Sequence, residues 1–358
     1  MLYIGVMSGT SLDGVDVALC KINSSTCKLV SSYEHPFDKE LKKEILHLIS
    51  NKTMLKQLGS LNIKLGYLFA EAINNFISIN KINIKNIQAI GLHGQTLWHE
   101  PHSATPFSMQ LGCANVVHSK TGIKVVSDFR NMDIANGGEG APLTPAFHQF
   151  LFKNLGKGTA VLNIGGMSNI TILGKELKGW DSGPGNVLMD LWIYKTKKLP
   201  FDKGGKFAGS GRVHAELLDS LLSDNYFHKR GPKSTGREKF NKKYISNHLS
   251  DFKDIKAKDI QRTFLELTAK SITKDIKANS INKVIVCGGG NKNKILMKRI
   301  AKLSKAKLFK SDDFGVDSNF LEAMAFAWLA YKRVNSEKVD LKSVTGADKN
   351  SILGGIYG

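Results

Sequence analysis

Four stretches of this chain combine glycine with polar side chains as phosphate-binding turns do. Gly9-Thr10-Ser11-Leu12-Asp13-Gly14 lies between two apolar runs, and Asn163-Ile164-Gly165-Gly166-Met167-Ser168-Asn169 follows another. Asp181-Ser182-Gly183-Pro184-Gly185-Asn186 precedes a helical pattern, and Gly288-Gly289-Gly290 follows a short apolar run. Phosphate oxygens need several backbone N–H donors at close range, and glycine permits both the approach and the positive φ this often requires. In the first turn the Thr10 and Ser11 hydroxyls can touch phosphate. The Asp13 and Asp16 carboxylates would repel it unless Mg²⁺ stands between, through water. Taken singly, these turns also read as an ordinary hairpin or as a helix N-cap after a Gly/Pro loop. Four of them in strand–turn context point to a nucleotide. Neither GxxxxGK followed by Ser or Thr nor GxGxxG is present, so the P-loop and Rossmann readings lose their main support.

Other side chains could act on a second ligand. Asp181 follows Trp180, and a carboxylate beside an indole can be partly desolvated, which favours a general base; a helix cap is the alternative. His93, His99 and His102 cluster near Trp98 and Glu100, but not at the spacing of a metal-binding helix. His93-Gly94-Gln95-Thr96, at a strand end, reads better as a polar substrate wall. Arg130, closing Asp128-Phe129-Arg130, can clamp a carboxylate or pair with Asp128. Glu322 begins an otherwise apolar helical face, as a site residue or as an exposed helix end. Residues 233–238 read as an exposed loop.

The elements that must position these groups fall into two similar halves. Residues 2–8 and 15–22 read as strands around the first turn, and residues 28–34 as a third. Helical patterns cover residues 39–50 and 55–79, residues 87–92 read as a buried strand, 111–121 as a helix and 124–127 as a strand. After the Gly/Asn/Pro-rich residues 131–145 the pattern restarts. Strands are expected at 159–164 and 169–173, helices near 186–197, 213–222 and 260–278, a buried strand at 283–287, and helices from about 292 and over 320–333. The expected division is a first α/β lobe over residues 1–130, with 340–358 able to return to it, and a second over 131–339. A duplicated α/β unit with a phosphate-sized turn in each hairpin suggests two lobes closing on a nucleotide.

Composition narrows the class. The chain has 358 residues, 42% hydrophobic and 23% charged, within the globular range. No apolar run approaches a membrane span. Four scattered cysteines argue against a disulfide framework and fit a reducing cytoplasm. Asp13 and Asp16 interrupt the apolar N-terminus, and no basic residue precedes it, which argues against a signal peptide. The net charge of +20 is spread over amphipathic stretches without interleaved aromatics, so a solvated Lys-rich surface is favoured over a nucleic-acid groove.

The order of these motifs resembles the anhydro-N-acetylmuramic acid kinases. The resemblance is carried by Gly5-Val-Met-Ser-Gly-Thr-Ser-Leu-Asp-Gly-Val-Asp16, Gly91-Leu-His-Gly-Gln-Thr96, Ser127-Asp-Phe-Arg130, Gly140-Ala-Pro-Leu-Thr-Pro145 and Asn163-Ile-Gly-Gly166. Asp181-Ser-Gly-Pro-Gly-Asn186, Lys233-Ser-Thr-Gly-Arg-Glu238, Gly288-Gly-Gly290 and Thr345-Gly-Ala347 extend it over nearly the whole chain. It implies the two-lobed actin/sugar-kinase/chaperone-type ATPase fold (ribonuclease H-like) with an interlobe ATP cleft. The implied reaction converts 1,6-anhydro-N-acetylmuramic acid, water and ATP to N-acetylmuramic acid 6-phosphate and ADP, in cytoplasmic cell-wall recycling.

By position, Asp181 resembles the family's catalytic base, with Arg130 near enough to keep it ionised. Gly9, Thr10, Ser11, Leu12, Asp13, Gly14, Val15 and Asp16 match the ATP phosphate turn, and Asn163, Gly165, Gly166, Gly288, Gly289 and Gly290 its further nucleotide contacts. Gln95, Thr96, Arg130 and Glu322 match the sugar pocket. The resemblance further implies Mg²⁺ with ATP and a homodimer, with no nucleic-acid or membrane partner. The alternatives are another sugar kinase of the superfamily that needs no hydrolytic water, or a non-enzymatic ATP-driven switch.

Overall fold

The alternation of Val15, Val17 and Leu19 with polar or small residues is that of a strand with one buried face, and the segment forms the second strand of a hairpin. The computed structural model describes every residue except Thr10, Ser11, Asp13, Asn51, Lys52, Pro232 and Glu238, together with the Ser50 side chain. Its strands are β1 (Leu2–Ser8), β2 (Gly14–Ile22), β3 (Cys27–Pro36), β4 (Ile87–Glu100), β5 (Phe107–Leu111) and β6 (Val125–Ser127). They continue with β7 (Thr159–Ile164), β8 (Met167–Ile172), β9 (Lys178–Pro184), β10 (Lys283–Cys287), β11 (Lys307–Lys310) and β12 (Gly355–Tyr357).

The chain divides into two compact units, one of Met1–Leu151 with Gly315–Gly358 and one of Phe152–Phe314. Each is built around one mixed sheet, in the orders β12-β6-β4-β1-β2-β3, with β5 beside β4, and β11-β10-β7-β8-β9. Leaving out β12 and β5, the orders are the same. An antiparallel meander opens each unit, and two strands then add parallel to its first strand. This is the duplicated α/β unit of the actin/sugar-kinase/chaperone-type ATPase fold.

Crossover helices cover the sheets because parallel neighbours need long connections. Leu55–Ile79 buries Leu61, Leu65, Phe69, Ile73 and Phe76 at helical spacing, packing beside β2, β3 and β5. In the second unit the helix Ala257–Ala278 buries Phe264, Leu267 and Ile272 beside Leu162, Val284 and Val286. The four cysteines are free thiols. Among the described residues no helix is long and apolar enough to cross a membrane.

The division differs from the expected 130/131 and 339/340 borders. Residues 131–151 and 315–339 belong with the first unit for packing reasons. The helix Leu321–Val334 lies directly on β1 and β4, where two glycines admit it. A Cβ on Gly5 would lie 1.8 Å from the Ala323 carbonyl oxygen, and one on Gly91 2.0 Å from that of Phe326. The segment after β6 is tied to the C-terminal part of the same unit. Asp133 accepts the Gly140 N–H at 2.8 Å and the Thr345 hydroxyl at 2.9 Å, which gives the Gly140–Pro145 and Thr345–Ala347 motifs a structural role.

Candidate active site

In the first unit the polar residues gather where β1 and β6 end beside the middle of β4, near the usual place for ligands in such sheets. Ser8 stands opposite Gln95 across the parallel β1–β4 pair, and its hydroxyl donates to Gln95 Oε1 at 2.6 Å. Both side chains are buried. Gln95 Nε2 donates to the Thr96 carbonyl at 3.3 Å, and Gln110 Nε2 to the Thr96 hydroxyl at 3.3 Å. Gly94, at φ +79°, lets β4 pass the β5 backbone; a Cβ there would lie 2.7 Å from the Leu111 oxygen. That pairing carries β4 through the motif as one 14-residue strand, where a strand ending near residue 92 was expected.

Arg130 Nη2 donates to His93 Nε2 at 2.9 Å. A guanidinium only donates, so His93 accepts at Nε2 and carries its proton on Nδ1. Burial, and then the Arg130 charge, hold the imidazole well below its usual range, so it stays neutral. Burial lowers Arg130 to about 10, with the Glu322 charge opposing. Arg130 Nε and His93 Nδ1 are buried without a hydrogen-bond partner among the described residues. A cation held this way, with a spare N–H, suits a carboxylate ligand.

Asp128 is not the partner of Arg130. It adopts φ +59° and accepts from Asn131 Nδ2 at 2.7 Å. Nor do the three histidines assemble. His99 Nδ1 pairs with the Ser108 hydroxyl, and His102 faces Glu139 at the surface.

The first glycine turn falls partly outside the described residues, which exclude Thr10, Ser11 and Asp13. Around that gap, Leu12 N donates to the Gly9 carbonyl at 3.2 Å. The Leu12 and Val15 side chains are buried in the core, so only their backbones can meet a ligand. Asp16 is pushed up to about 7, chiefly by burial and then by the charges of Glu34, Glu322 and Asp317. Hard carboxylate oxygens with uncompensated negative charge suit Mg²⁺ held through water. Among the described residues no group of three or more His, Cys, Asp or Glu could hold a metal ion by itself.

A raised carboxyl favours the folded state in its neutral form. The contribution of Asp16 is full below about pH 4, its unfolded range, and is lost as pH rises through about 7. Asp16→Asn is therefore expected to stabilise the ligand-free protein at pH 8 by about 2 kcal/mol, with little effect at pH 4. Urea midpoints at the two pH values test this; equal shifts at both would rule out ionisation as the cause.

In the second unit the glycine turns converge on the end of β7. Gly165 and Gly166 form the β7–β8 turn, and their carbonyls accept from Asn186 N at 2.8 Å and from Gly185 N at 2.9 Å. The Asp181–Asn186 motif is thus continuous with the Asn163–Gly166 motif, and its first four residues lie in strand β9 rather than in a turn. Asn186 does not cap the following helix with its side chain, which donates to the Ile164 carbonyl at 3.4 Å instead. The β10 glycines reach the same point. A Cβ on Gly288 would lie 2.2 Å from Asn163 Oδ1, and one on Gly290 2.3 Å from Ile164 Cγ2, whereas Gly289 has open space. Asn163, Gly165, Gly166, Gly288 and Gly290 therefore share one close-packed backbone region.

Asp181 is held on β9 by groups that the sequence did not point to. Its N–H donates to the Lys233 carbonyl at 2.9 Å, and its own carbonyl accepts from the Tyr226 hydroxyl at 2.6 Å. Its Oδ2 accepts the Thr235 N–H at 3.0 Å. The 233–238 loop, expected to be merely exposed, supplies two of these contacts from its backbone. Its side chains carried no signal for this, because backbone donors leave none. Ser8, at the end of an apolar strand beside the first turn, was the one missed residue with a visible cue.

The anhydro-N-acetylmuramic acid kinase family profile matches residues 1–358. The anhydro-N-acetylmuramic acid kinase of Sulfurovum sp. (strain NBC37-1) is 52% identical over 358 residues, 99% of this chain and 98% of its own. That of Sulfurimonas denitrificans is 53% identical over 363 residues, 99% of both. Among solved structures, the activator of the 2-hydroxyisocaproyl-CoA dehydratase from Clostridium difficile matches 94% of this chain and 96% of its own at 12% identity, with a TM-score of 0.45. The whole-chain match and the identity to these relatives make the chain a member of the anhydro-N-acetylmuramic acid kinase family.

Proposed function

We propose that the protein couples hydrolytic opening of 1,6-anhydro-N-acetylmuramic acid to phosphoryl transfer from ATP. The observation that carries this reading is the hold on Asp181, a carboxylate fixed at both backbone groups and by one amide, on the strand that continues into the glycine turns. In this reading Asp181 takes a proton from a water that attacks C1. The C1–O6 bond breaks, O6 attacks the γ-phosphorus, and ADP leaves.

Gly9–Asp16 cradles the β- and γ-phosphates, and Asn163, Gly165, Gly166 and Gly288–Gly290 hold the rest of the nucleotide. Asp16 would hold Mg²⁺ through water, and the ion would supply charge neutralisation at the phosphates. Gln95, Thr96 and Glu322 line the sugar pocket, and Arg130 receives the lactyl carboxylate on its spare N–H. The setting is cytoplasmic cell-wall recycling by a homodimer.

Thr235→Pro removes the N–H given to the Asp181 carboxylate, so this carboxyl should titrate higher. The acidic limb of the kcat/KM profile is expected to move up, and Ser234→Ala to leave it in place. An unmoved limb in Thr235→Pro would detach that amide from the base.

The reaction itself is tested by mixing protein, ATP, Mg²⁺ and 1,6-anhydro-N-acetylmuramic acid and following sugar mass and ADP together. The expected product gains one phosphoryl group and one water, mole for mole with ADP. Phosphoryl gain without water would leave a sugar kinase and remove the hydrolytic step. ADP formation indifferent to the sugar would favour an ATP-driven switch.

A further inference from the structure

Next to the Asp181 strand, the second unit contains a cavity of about 150 Å³ walled by four basic side chains, His228, Lys233, Lys270 and Lys274, with Ser182 and Ser271 adding hydroxyls. Lys270 and Lys274 stand one turn apart on the helix Ala257–Ala278, on the same face. Lys233 comes from the loop that holds Asp181, and His228 ends the short helix Asn225–His228. The reaction proposed above uses none of the four side chains.

The basic groups are only partly satisfied by the protein. Lys274 Nζ donates to the Phe227 carbonyl. Lys233 Nζ donates to the Tyr226 carbonyl at 3.2 Å and lies 4.4 Å from the centre of its ring. An ammonium has three donors, so each keeps two more. The carboxylates acting on Lys233 are Asp275 and Asp181, against the like charges of Lys274 and Lys229. Asp275 is itself buried, and its carboxyl is pushed up mainly by that burial, which weakens it as a counter-charge. The Ser182 hydroxyl, 1% exposed as a residue, faces the Asp275 carboxyl and has no other partner among the described residues. The basic residues and this hydroxyl share one hollow with the apolar Leu222 and Phe227.

We propose that this cavity binds a compact phosphate-type dianion, with the Ser182 hydroxyl and the Lys233, Lys270 and Lys274 ammonium groups as donors. Inorganic phosphate and the phosphoryl group of a sugar phosphate present the same chemistry. Charge-assisted hydrogen bonds from several lysines favour a dianion over a neutral ligand. Binding is independent of the reaction proposed above, since it needs no turnover.

The test is calorimetric titration of the full chain, saturated with Mg²⁺ and a non-hydrolysable ATP analogue so that the nucleotide turns are filled. Inorganic phosphate is titrated in one arm and glucose 6-phosphate in the other, against the wild type, K270Q and K270Q/K274Q. Binding in the wild type is expected near millimolar or tighter, and at least about tenfold weaker in the double variant. K270Q, altering an exposed side chain, should leave the ligand-free melting temperature unchanged, and it serves if the double variant, which also loses the Lys274 bond to the Phe227 carbonyl, is unstable. Tighter glucose 6-phosphate would identify a sugar-phosphate site, and tighter inorganic phosphate a site for the free ion. No binding of either, or equal affinity in wild type and folded variants, overturns the proposal.

Discussion

Asp181→Asn is expected to lower turnover at least about 100-fold while ATP binding is retained, because general-base assistance contributes about 10²–10⁴-fold. The substitution is a clean one in this fold. The Asp181 N–H and carbonyl, which meet Lys233 and Tyr226, are backbone groups and survive the change. An asparagine oxygen can still accept the Thr235 N–H that Oδ2 accepts now. What is lost is the ability to take a proton. Steady-state ADP release with the anhydro sugar, beside calorimetric ATP affinity, separates the two effects. Turnover near the wild-type value would remove Asp181 from the role, and lost ATP affinity would show that the variant disturbs more than the base.

Gly5→Ala carries the largest expected cost to stability, about 3 kcal/mol or more, because the added carbon must displace backbone. Its Cβ would lie 1.8 Å from the Ala323 oxygen and 2.6 Å from Ala327 N, and neither can swing aside as a side chain would. The helix Leu321–Val334 would have to lift off β1, exposing the apolar faces beneath it. Gly59 provides the contrast. It lies inside the helix Leu55–Ile79 with nothing within 4 Å of an added Cβ, so Gly59→Ala is expected to stabilise by about 0.5–1 kcal/mol. Urea denaturation of the two variants measures both. A Gly5→Ala midpoint near the wild type would mean that the helix yields without cost.

The strands and helices most visible in the sequence were those whose burial follows one period. β1, β2, β7 and β10, with the helices Lys39–Ser50 and Leu55–Ile79, lie where the apolar pattern put them. The missed strands have weak local patterns and strong neighbours. β9 contains Gly179, Gly183 and Pro184 and reads as a turn, yet pairing with β8 makes it a strand. β12 is three residues long and exists by pairing with β6.

The unit borders were hidden for a related reason. Where the helix Leu321–Val334 docks depends on a groove left by Gly5 and Gly91, more than 200 residues earlier. Residue types made Asp16, Gln95, Arg130 and Glu322 candidates one at a time. The Ser8–Gln95 bond and the Arg130–His93 pair require the parallel register of β1 and β4 and the return of β6. The hold on Asp181 by residues 233–235 is mostly backbone, to which composition is blind.

The second unit is inserted within the first, which orders events at the ribosome. Phe152–Phe314 is a contiguous stretch and can complete its own sheet as it emerges. The first unit has β1 to β6 in hand early, but the groove over Gly5 and Gly91 stays uncovered until residues 321–334 are made. At about 5–20 residues per second, that interval runs from roughly 10 s to 40 s. The half-built sheet is exposed for that time, so nascent chains stalled before residue 321 should recruit chaperones through β1 and β4, while the inserted unit already resists proteolysis.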